Sequence, residues 1–436
     1  MSTAQAEYLR LFTVLKTNMN KIIIFCKHAV ETLTYFSMQL ADAFEESGYE
    51  IFWIDLDQTG RSAWKLRQAV QQKKAVLITF NFIGLSGEED LWESDDTGEP
   101  TVSLFEKLDI PCLNIMVDHP VYYYQALQYP AANLRTFCID RDHVAYMHRF
   151  YPDIFCEFLP LAGNCFLDND HSDKKPPQYP QDIGITKAGA AEPTFEQWMQ
   201  RPYTLVFTAN YVPVSNIDRQ IAAMEPEYRD FYHEIIEAFL HNPKQDLLSC
   251  IETYLRREIP DLTDAQLCEG MSSMPAVDLW IRTYFREKTV RILAEGGIKI
   301  HLSGKDWDQI RCTHPQNLIT TGHMVNSAAC VQATTQAKIA LNTMPWFKDG
   351  AHDRIFTAML AGTAALTDDS TYLREQFTHK DTIIYYDLSH LEQLPHLVTD
   401  LLQHPEDLYK ISLHGKNTAQ QHHRWKHRAE HLKQYI

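Results

Sequence analysis

Residues 339–369, IALNTMPWFKDGAHDRIFTAMLAGTAALTDD, decide how this chain is read. Residues 339–341 form a short apolar run of the length of a buried strand. Pro345, Gly350, His352 and Asp353 mark a loop. Apolar residues then recur at helical spacing, Ile355 with Met359 and Phe356 with Leu360, which predicts a helix over 354–361. Gly362 is placed to stop it. Residues 364–366 are a second apolar run, ending on Thr367, Asp368 and Asp369. The result is a strand–loop–helix–strand unit with its polar residues at the loop and at the second strand's end. Open parallel sheets bind ligands at such places. A helix N-terminus with Arg354 in its first turn suits a diphosphate, because backbone N–H groups and the guanidinium both donate to an anion. The same residues equally describe a plain β-α-β unit with Arg354 in a surface ion pair.

Working outward, a chain of 436 residues predicts two domains rather than one core. Its 45% hydrophobic and 22% charged residues are ordinary for a globular protein. A net charge of −17 argues against a broad nucleic-acid or anionic-membrane surface. The nine cysteines include no C-x-x-C pair and several lie in apolar runs, as buried thiols of a reducing cytoplasm do. No apolar run reaches the roughly 18 residues that span a bilayer. The N-terminus reads as a short amphipathic helix rather than a signal peptide. These features predict a cytoplasmic enzyme or binding protein without a transmembrane segment.

The first half alternates strands and helices. Strands are predicted at 21–25, 50–54, 75–82, 111–117 and 136–139, with a helix over 31–47 closed by Gly48. G-x-G-x-x-G is absent after the first strand, which sets aside a nicotinamide or flavin enzyme. Asp55 and Asp57 form a D-x-D at a strand end, read here as a solvated loop in preference to a metal site. Residues 86–98 are an acidic surface loop. Asp118-His119-Pro120 ends the strand 111–117. There a carboxylate beside an imidazole can serve as base or proton relay, or Asp118 can simply cap the next turn.

Residues 164–200, interrupted by prolines, read as a linker. A new strand begins at 203–207. Residues 227–295 carry a helical pattern, read as an inserted bundle with no chemistry of its own. The strand 298–302 runs into Ser303-Gly304-Lys305-Asp306-Trp307. Gly304 allows close backbone approach, and Trp307 either stacks on a base or buries its ring. The run 317–321 precedes Gly322-His323-Met324. Near the C-terminus, residues 417–435 read as one long polar helix. Its His423, His427 and His431 share a face at metal-ligand spacing. Flanking Arg424, Lys426 and Arg428 favour a solvated basic face instead, so no metal site is assigned.

Phe207-Thr208-Ala209-Asn210-Tyr211, Ser303-Gly304-Lys305-Asp306-Trp307, Gly322-His323 and the run from His352 to Gly362 with Leu366-Thr367-Asp368 together resemble the CgeB-like glycosyltransferases of the GT-B fold. Val117-Asp118-His119-Pro120 and Phe158-Leu159-Pro160-Leu161-Ala162-Gly163 are similar to the N-terminal half of those proteins. The resemblance covers about residues 20 to 405. It implies an α/β fold of two Rossmann-like domains facing a cleft, over 1–163 and 201–415. It also implies a linker at 164–200, the helical insert at 227–295 and a C-terminal helix at 416–436. The nucleotide-sugar would be held mainly by the second domain. Carried over, Gly304, Lys305 and Trp307 border the nucleotide, and Gly322 and His323 lie near the base. His352 and Arg354 face the diphosphate, with Asn342 and Asp368 completing the donor site. Many retaining enzymes of this fold carry a spaced pair of glutamates; the matching positions here are Asp349 and Thr357, and only the first is a carboxylate.

The leading expectation is a hexosyl- or N-acetylhexosaminyl-type transferase. It would use a nucleoside-diphosphate-sugar as co-substrate, need no metal or other cofactor, and act on a protein or glycan acceptor. The catalytic base would be Asp118 or His119. A nucleotide-sugar epimerase and a non-catalytic sugar-nucleotide or glycan-binding module are the alternatives.

Overall fold

The computed structural model describes residues 21–94, 100–166 and 192–436. The expected N-terminal helix, part of the acidic loop and most of the expected linker lie outside these residues. The chain divides into two compact units. Among the described residues the first runs from Lys21 to Pro160 and takes back Trp425–Ile436; the second lies between Leu161 and Arg424. No helix among the described residues is long and apolar enough to cross a membrane.

The first unit holds a parallel six-stranded sheet in the order β2-β1-β3-β6-β7-β8. Its strands are β1 (Lys21–Lys27), β2 (Glu50–Asp55), β3 (Lys74–Phe80), β6 (Cys112–Met116), β7 (Leu134–Cys138) and β8 (Phe155–Phe158). The apolar run Ile22, Ile23, Ile24 and Phe25 is fully buried, as strands covered on both faces require. The acidic segment, expected as a loop, contains β4 (Trp92–Ser94), which pairs antiparallel with β5 (Pro100–Ser103) just beyond it. Helix α1 (Glu31–Glu46) covers the sheet.

The second unit has strands β9 (Tyr203–Thr208), β10 (Ile300–Ser303), β11 (Leu318–Thr320), β12 (Ala337–Leu341), β13 (Ala364–Asp368) and β14 (Ile384–Tyr386). Their order is β11-β10-β9-β12-β13-β14, all parallel. Numbered within the unit this is 3-2-1-4-5-6, the doubly wound order whose direction reverses between its first and fourth strands. Here the reversal lies between β9 and β12. Two parallel Rossmann-like sheets in one chain make this an α/β architecture.

Between β9 and β10 the chain is helical: α2 (Val214–Ala222), α3 (Pro226–His241), α4 (Leu247–Glu258), α5 (Asp264–Ser272) and α6 (Pro275–Glu295). The opening unit forms as read, with helix α7 (Asp353–Leu360) between β12 and β13. The end of the expected linker is packed rather than loose. Trp198 is fully buried, and Arg201 donates to the carbonyls of Ala337, Ala361 and Gly362 and to Thr363 Oγ1 at 2.7–3.0 Å. It thereby ties the C-terminus of α7 to the start of β12.

The expected single C-terminal helix is two. Helix α8 (Pro405–His422) stops at His423, and α9 (Trp425–Leu432) follows. The expected solvated histidine row is thereby broken. His423 is buried and stacks on Phe356 with ring centroids 4.5 Å apart. Trp425, in the first unit, packs against Phe36 and Phe80.

Candidate functional site

The reversal between β9 and β12 is where the second sheet opens, and Arg354 sits across it. From the first turn of α7 its Nε donates to Asn342 Oδ1 at 3.1 Å and its Nη1 to the Thr208 carbonyl at 3.1 Å. Asn342 follows β12 and Thr208 ends β9, so one guanidinium bridges the two strand ends. Asn342 is itself fixed: Nδ2 donates to Thr367 Oγ1 at 2.9 Å, and its carbonyl accepts from Tyr386 Oη at 2.7 Å. The guanidinium also lies over the Phe207 ring, 5.6 Å from its centroid. Among the described residues Arg354 therefore makes no surface ion pair. Its Nη2 is shielded from solvent and has no hydrogen-bond partner.

A second arginine, absent from the sequence-based assignment, joins it. Arg286 on α6 donates from Nη1 to the Asn210 carbonyl at 2.8 Å, while its buried Nε has no partner. Burial and the neighbouring charges of Arg354 and Arg282 pull its guanidinium down to about 9. Burial also lowers Arg354. Arg282, one turn earlier, is matched: it pairs with Asp278 at 2.6 Å and lies over Trp346, 4.3 Å from the ring centroid. The helix face thus carries Asp278, Arg282 and Arg286 in successive turns, two cations to one carboxylate. That imbalance is the sequence signal by which Arg286 was detectable. The helical insert, read as having no chemistry, supplies half of the cationic site. Two adjacent guanidiniums with buried, unused N–H donors and, among the described residues, no carboxylate in ion-pair contact with either are suited to receive an anion.

His352 is the N-cap of α7. Its Nδ1 accepts from the Arg354 amide at 3.3 Å and stands 2.7 Å from Asp353 Oδ1. Burial and the charge of Arg354 lower the imidazole's affinity for a second proton, with Asp353 opposing and Arg286 reinforcing. Asp353, placed in the loop by the sequence, is the first residue of α7 and lies between two side chains, accepting from Asn164 Nδ2 at 2.8 Å through Oδ2. Thr357, the position matched to the family's second glutamate, donates to the Asp353 carbonyl and accepts the Asn164 amide, both at 2.9 Å. It anchors residues 161–166, and its one donor proton is committed. Gly163 permits this, because a Cβ there would stand 2.6 Å from the Phe356 carbonyl oxygen.

The remaining donor-site expectations divide. Asp368 is buried at the end of β13 and accepts from the Met344 amide at 2.8 Å. Burial raises its carboxyl to about 7, against the opposing charge of Lys348. Of the two fates open to Trp307, burial is the one observed: the ring is fully buried, stacked on Tyr211 with centroids 5.0 Å apart, and donates to the Ala209 carbonyl. A base cannot stack on it. Gly304 makes its close approach to protein, since a Cβ would fall 2.0 Å from the Ala209 carbonyl oxygen. Lys305 is exposed, and Gly322 and His323 lie on an exposed turn after β11 where His323 Nδ1 meets the Thr321 carbonyl at 2.6 Å.

In the first unit, Asp118 Oδ2 accepts from Asn81 Nδ2 at 3.1 Å, with Tyr123 Oη at 3.5 Å. His119 caps the following turn, its Nδ1 accepting from the Val121 amide at 3.0 Å. Its ring also meets His143 at 4.3 Å and Tyr146 at 4.8 Å between centroids. With Nδ1 occupied, the neutral ring carries its proton on Nε2 and has no lone pair to accept another. Among the described residues, His28, Asp55 and Asp57 are the group whose ligand atoms lie close enough to share a cation. Asp55 is already engaged by His28 at 2.7 Å and faces Lys27 at 3.7 Å. All nine cysteines are free thiols and most are buried.

Residues 282–434 match a family model described as glycosyl transferase-like. That segment begins on α6 at Arg282 and contains Arg286, His352, Arg354 and Asp368. No curated protein matches the chain by sequence. Among solved structures, sucrose-phosphate synthase from Thermosynechococcus elongatus aligns with 11% identity over 95% of this chain and 98% of its own, at a TM-score of 0.49. Anabaena HepE in complex with UDP and glucose aligns with 9% identity over 95% and 98%, at 0.49. A glycosyltransferase from Rickettsia africae aligns with 8% identity over 95% and 97%, at 0.46.

Proposed function

We propose that this chain is a glycosyltransferase that moves a sugar from a nucleoside diphosphate donor to a hydroxyl of a protein or glycan acceptor. The observation that carries the reading is the Arg286–Arg354 pair, set at the reversal of a doubly wound sheet within the glycosyl transferase-like segment. Glycosyl transfer leaves a diphosphate whose negative charge grows as the sugar–oxygen bond breaks. Fixed guanidiniums stabilise that charge with no reorganisation at the moment of reaction. The positive end of α7 adds to them.

Asn342 orients Arg354, and Asp368 lies on the adjacent strand end, toward the sugar. Lys305, Gly322 and His323 are the donor-binding positions on the strand ends beyond β9, and Gly304 and Trp307 support them from within the protein. For an inverting reaction the base is Asp118, because His119 has no lone pair to offer. The buried engagement of Thr357 leaves the ribose to be held by other groups.

The test is titration of the protein with UDP, GDP, dTDP and CDP, followed by turnover assays with the matching nucleotide-sugars. Saturable binding of one diphosphate and slow donor hydrolysis are expected. Binding without hydrolysis or transfer would leave a sugar-nucleotide-binding module, and no binding at all would remove the reading.

A further inference from the structure

Two consecutive residues of the first unit lie in left-handed backbone. β3 ends at Phe80, and the next two residues, Asn81 and Phe82, have φ of 50° and 61°. Among the described residues no other two consecutive non-glycine residues share a positive φ. Asparagine tolerates that conformation; a bulky phenylalanine holds it only where its surroundings force it. Here they do. The Phe82 amide donates to Asn114 Oδ1 at 2.8 Å, and Thr79 Oγ1 donates to the Ile83 carbonyl at 2.6 Å. Asn114 and Thr79 are both buried.

The turn brings the Asn81 side chain back across the end of β6. Its Oδ1 accepts from the Val117 amide at 2.8 Å, and its Nδ2 donates to Asp118 Oδ2 at 3.1 Å. A backbone N–H can meet only the oxygen of a carboxamide, so Val117 turns the NH2 group toward Asp118. Phe82 adds a second hold. Its ring lies 5.5 Å from that of Tyr123, whose Oη stands 3.5 Å from the same Asp118 oxygen.

We infer that Asn81 is the positioning residue for Asp118: its amide holds Oδ2 and so sets the direction from which the carboxylate meets the acceptor hydroxyl. This rests on the transferase reading with Asp118 as base and adds the residue that aims it. In that reaction the acceptor's O–H proton passes to the carboxylate and the acceptor oxygen bonds to the anomeric carbon. The diphosphate leaves with the electron pair of the broken C–O bond. A carboxylate free to rotate would face the acceptor in only some of its rotamers, and the strained turn removes that freedom.

The test is hydrolysis of UDP-, GDP-, dTDP- and CDP-glucose by the full chain, with water as acceptor. The variants are Asn81→Gly, Asn81→Asp, Asp118→Ala and the double variant Asn81→Gly with Asp118→Ala. Glycine adopts this φ without strain, so Asn81→Gly removes the amide and keeps the turn. Asn81→Asp keeps an oxygen for Val117 and turns a second oxygen, in place of the donor, on Asp118. In both, kcat is expected to fall about 10- to 100-fold while affinity for the nucleoside diphosphate stays as in the wild type. In the Asp118→Ala background Asn81→Gly should cause no further loss, because it acts only through Asp118. Equal losses in the two backgrounds, the mark of a merely structural role, would overturn the inference. So would an unchanged kcat in both Asn81 variants, or an Asp118→Ala protein as active as the wild type. Each of these leaves the transferase standing. If the wild type hydrolyses none of the four donors, the transferase reading and the inference fall together.

Discussion

Arg286 and Arg354, brought together from α6 and the first turn of α7, repel one another. Among the described residues neither is in ion-pair contact with a carboxylate, though Asp353 and Asp368 lie near enough to Arg354 to favour its charge, and each keeps one buried N–H group without an acceptor. A protein core does not tolerate such a pairing for stability alone. It is the electrostatic signature of a site waiting for an anion.

Arg286→Ala and Arg354→Ala are therefore expected to weaken nucleoside diphosphate binding by about 10- to 100-fold each, the scale of a charge-assisted hydrogen bond of roughly 1.5–3 kcal/mol. The two losses should not add, because both side chains hold the same ligand. Calorimetric titration of the single and double variants measures this. Unchanged affinity in Arg286→Ala would remove α6 from the site.

Trp307 separates stability from binding. Trp307→Phe loses the indole bond to the Ala209 carbonyl and part of a fully buried ring. A cost of about 1–3 kcal/mol is expected in urea unfolding. Donor affinity, measured well below the melting temperature, should stay within about twofold of the wild type. A loss of affinity without a loss of stability would return the indole to the ligand.

Arg201→Ala tests the packing that holds α7. The change leaves three buried carbonyls and Thr363 Oγ1 without their donor. A destabilisation of about 3 kcal/mol or more is expected. Arg201→Lys should recover only part of it, because an ammonium lacks the fork that reaches several acceptors.

Asp368 gives a pH signature. Its carboxyl is raised to about 7 in the folded protein, chiefly by burial, from an ordinary value of 3.8. Between these two values the folded state holds a proton that the unfolded state releases. Stability from this group is therefore present at low pH and lost as pH rises toward 7, at roughly 1.4 kcal/mol for each pH unit of the shift. Asp368→Asn should be relatively more stable than the wild type at pH 8 than at pH 5. Denaturant midpoints at the two values read the difference directly, and an equal offset at both would show that Asp368 is charged throughout.

The sequence by itself determined the strands of both sheets except β8, and the strand–loop–helix–strand unit around Arg354. Short apolar runs and helical spacing are local signals, and local propensity and burial agree along them. The family resemblance, carried by that stretch, marked Arg354, His352, Asn342 and Asp368 as a group. Tertiary structure alone decided what each residue meets. Strand order, which puts the reversal between β9 and β12, is a matter of pairing between distant segments. Trp307 is core because Tyr211 and the Ala209 carbonyl close over it. Asp353 joins a buried chain because Asn164 arrives from far along the sequence. Arg286 belongs to the site only because α6 packs there. Composition showed it as one charge among many on a helix; burial without a counter-charge gives it its meaning.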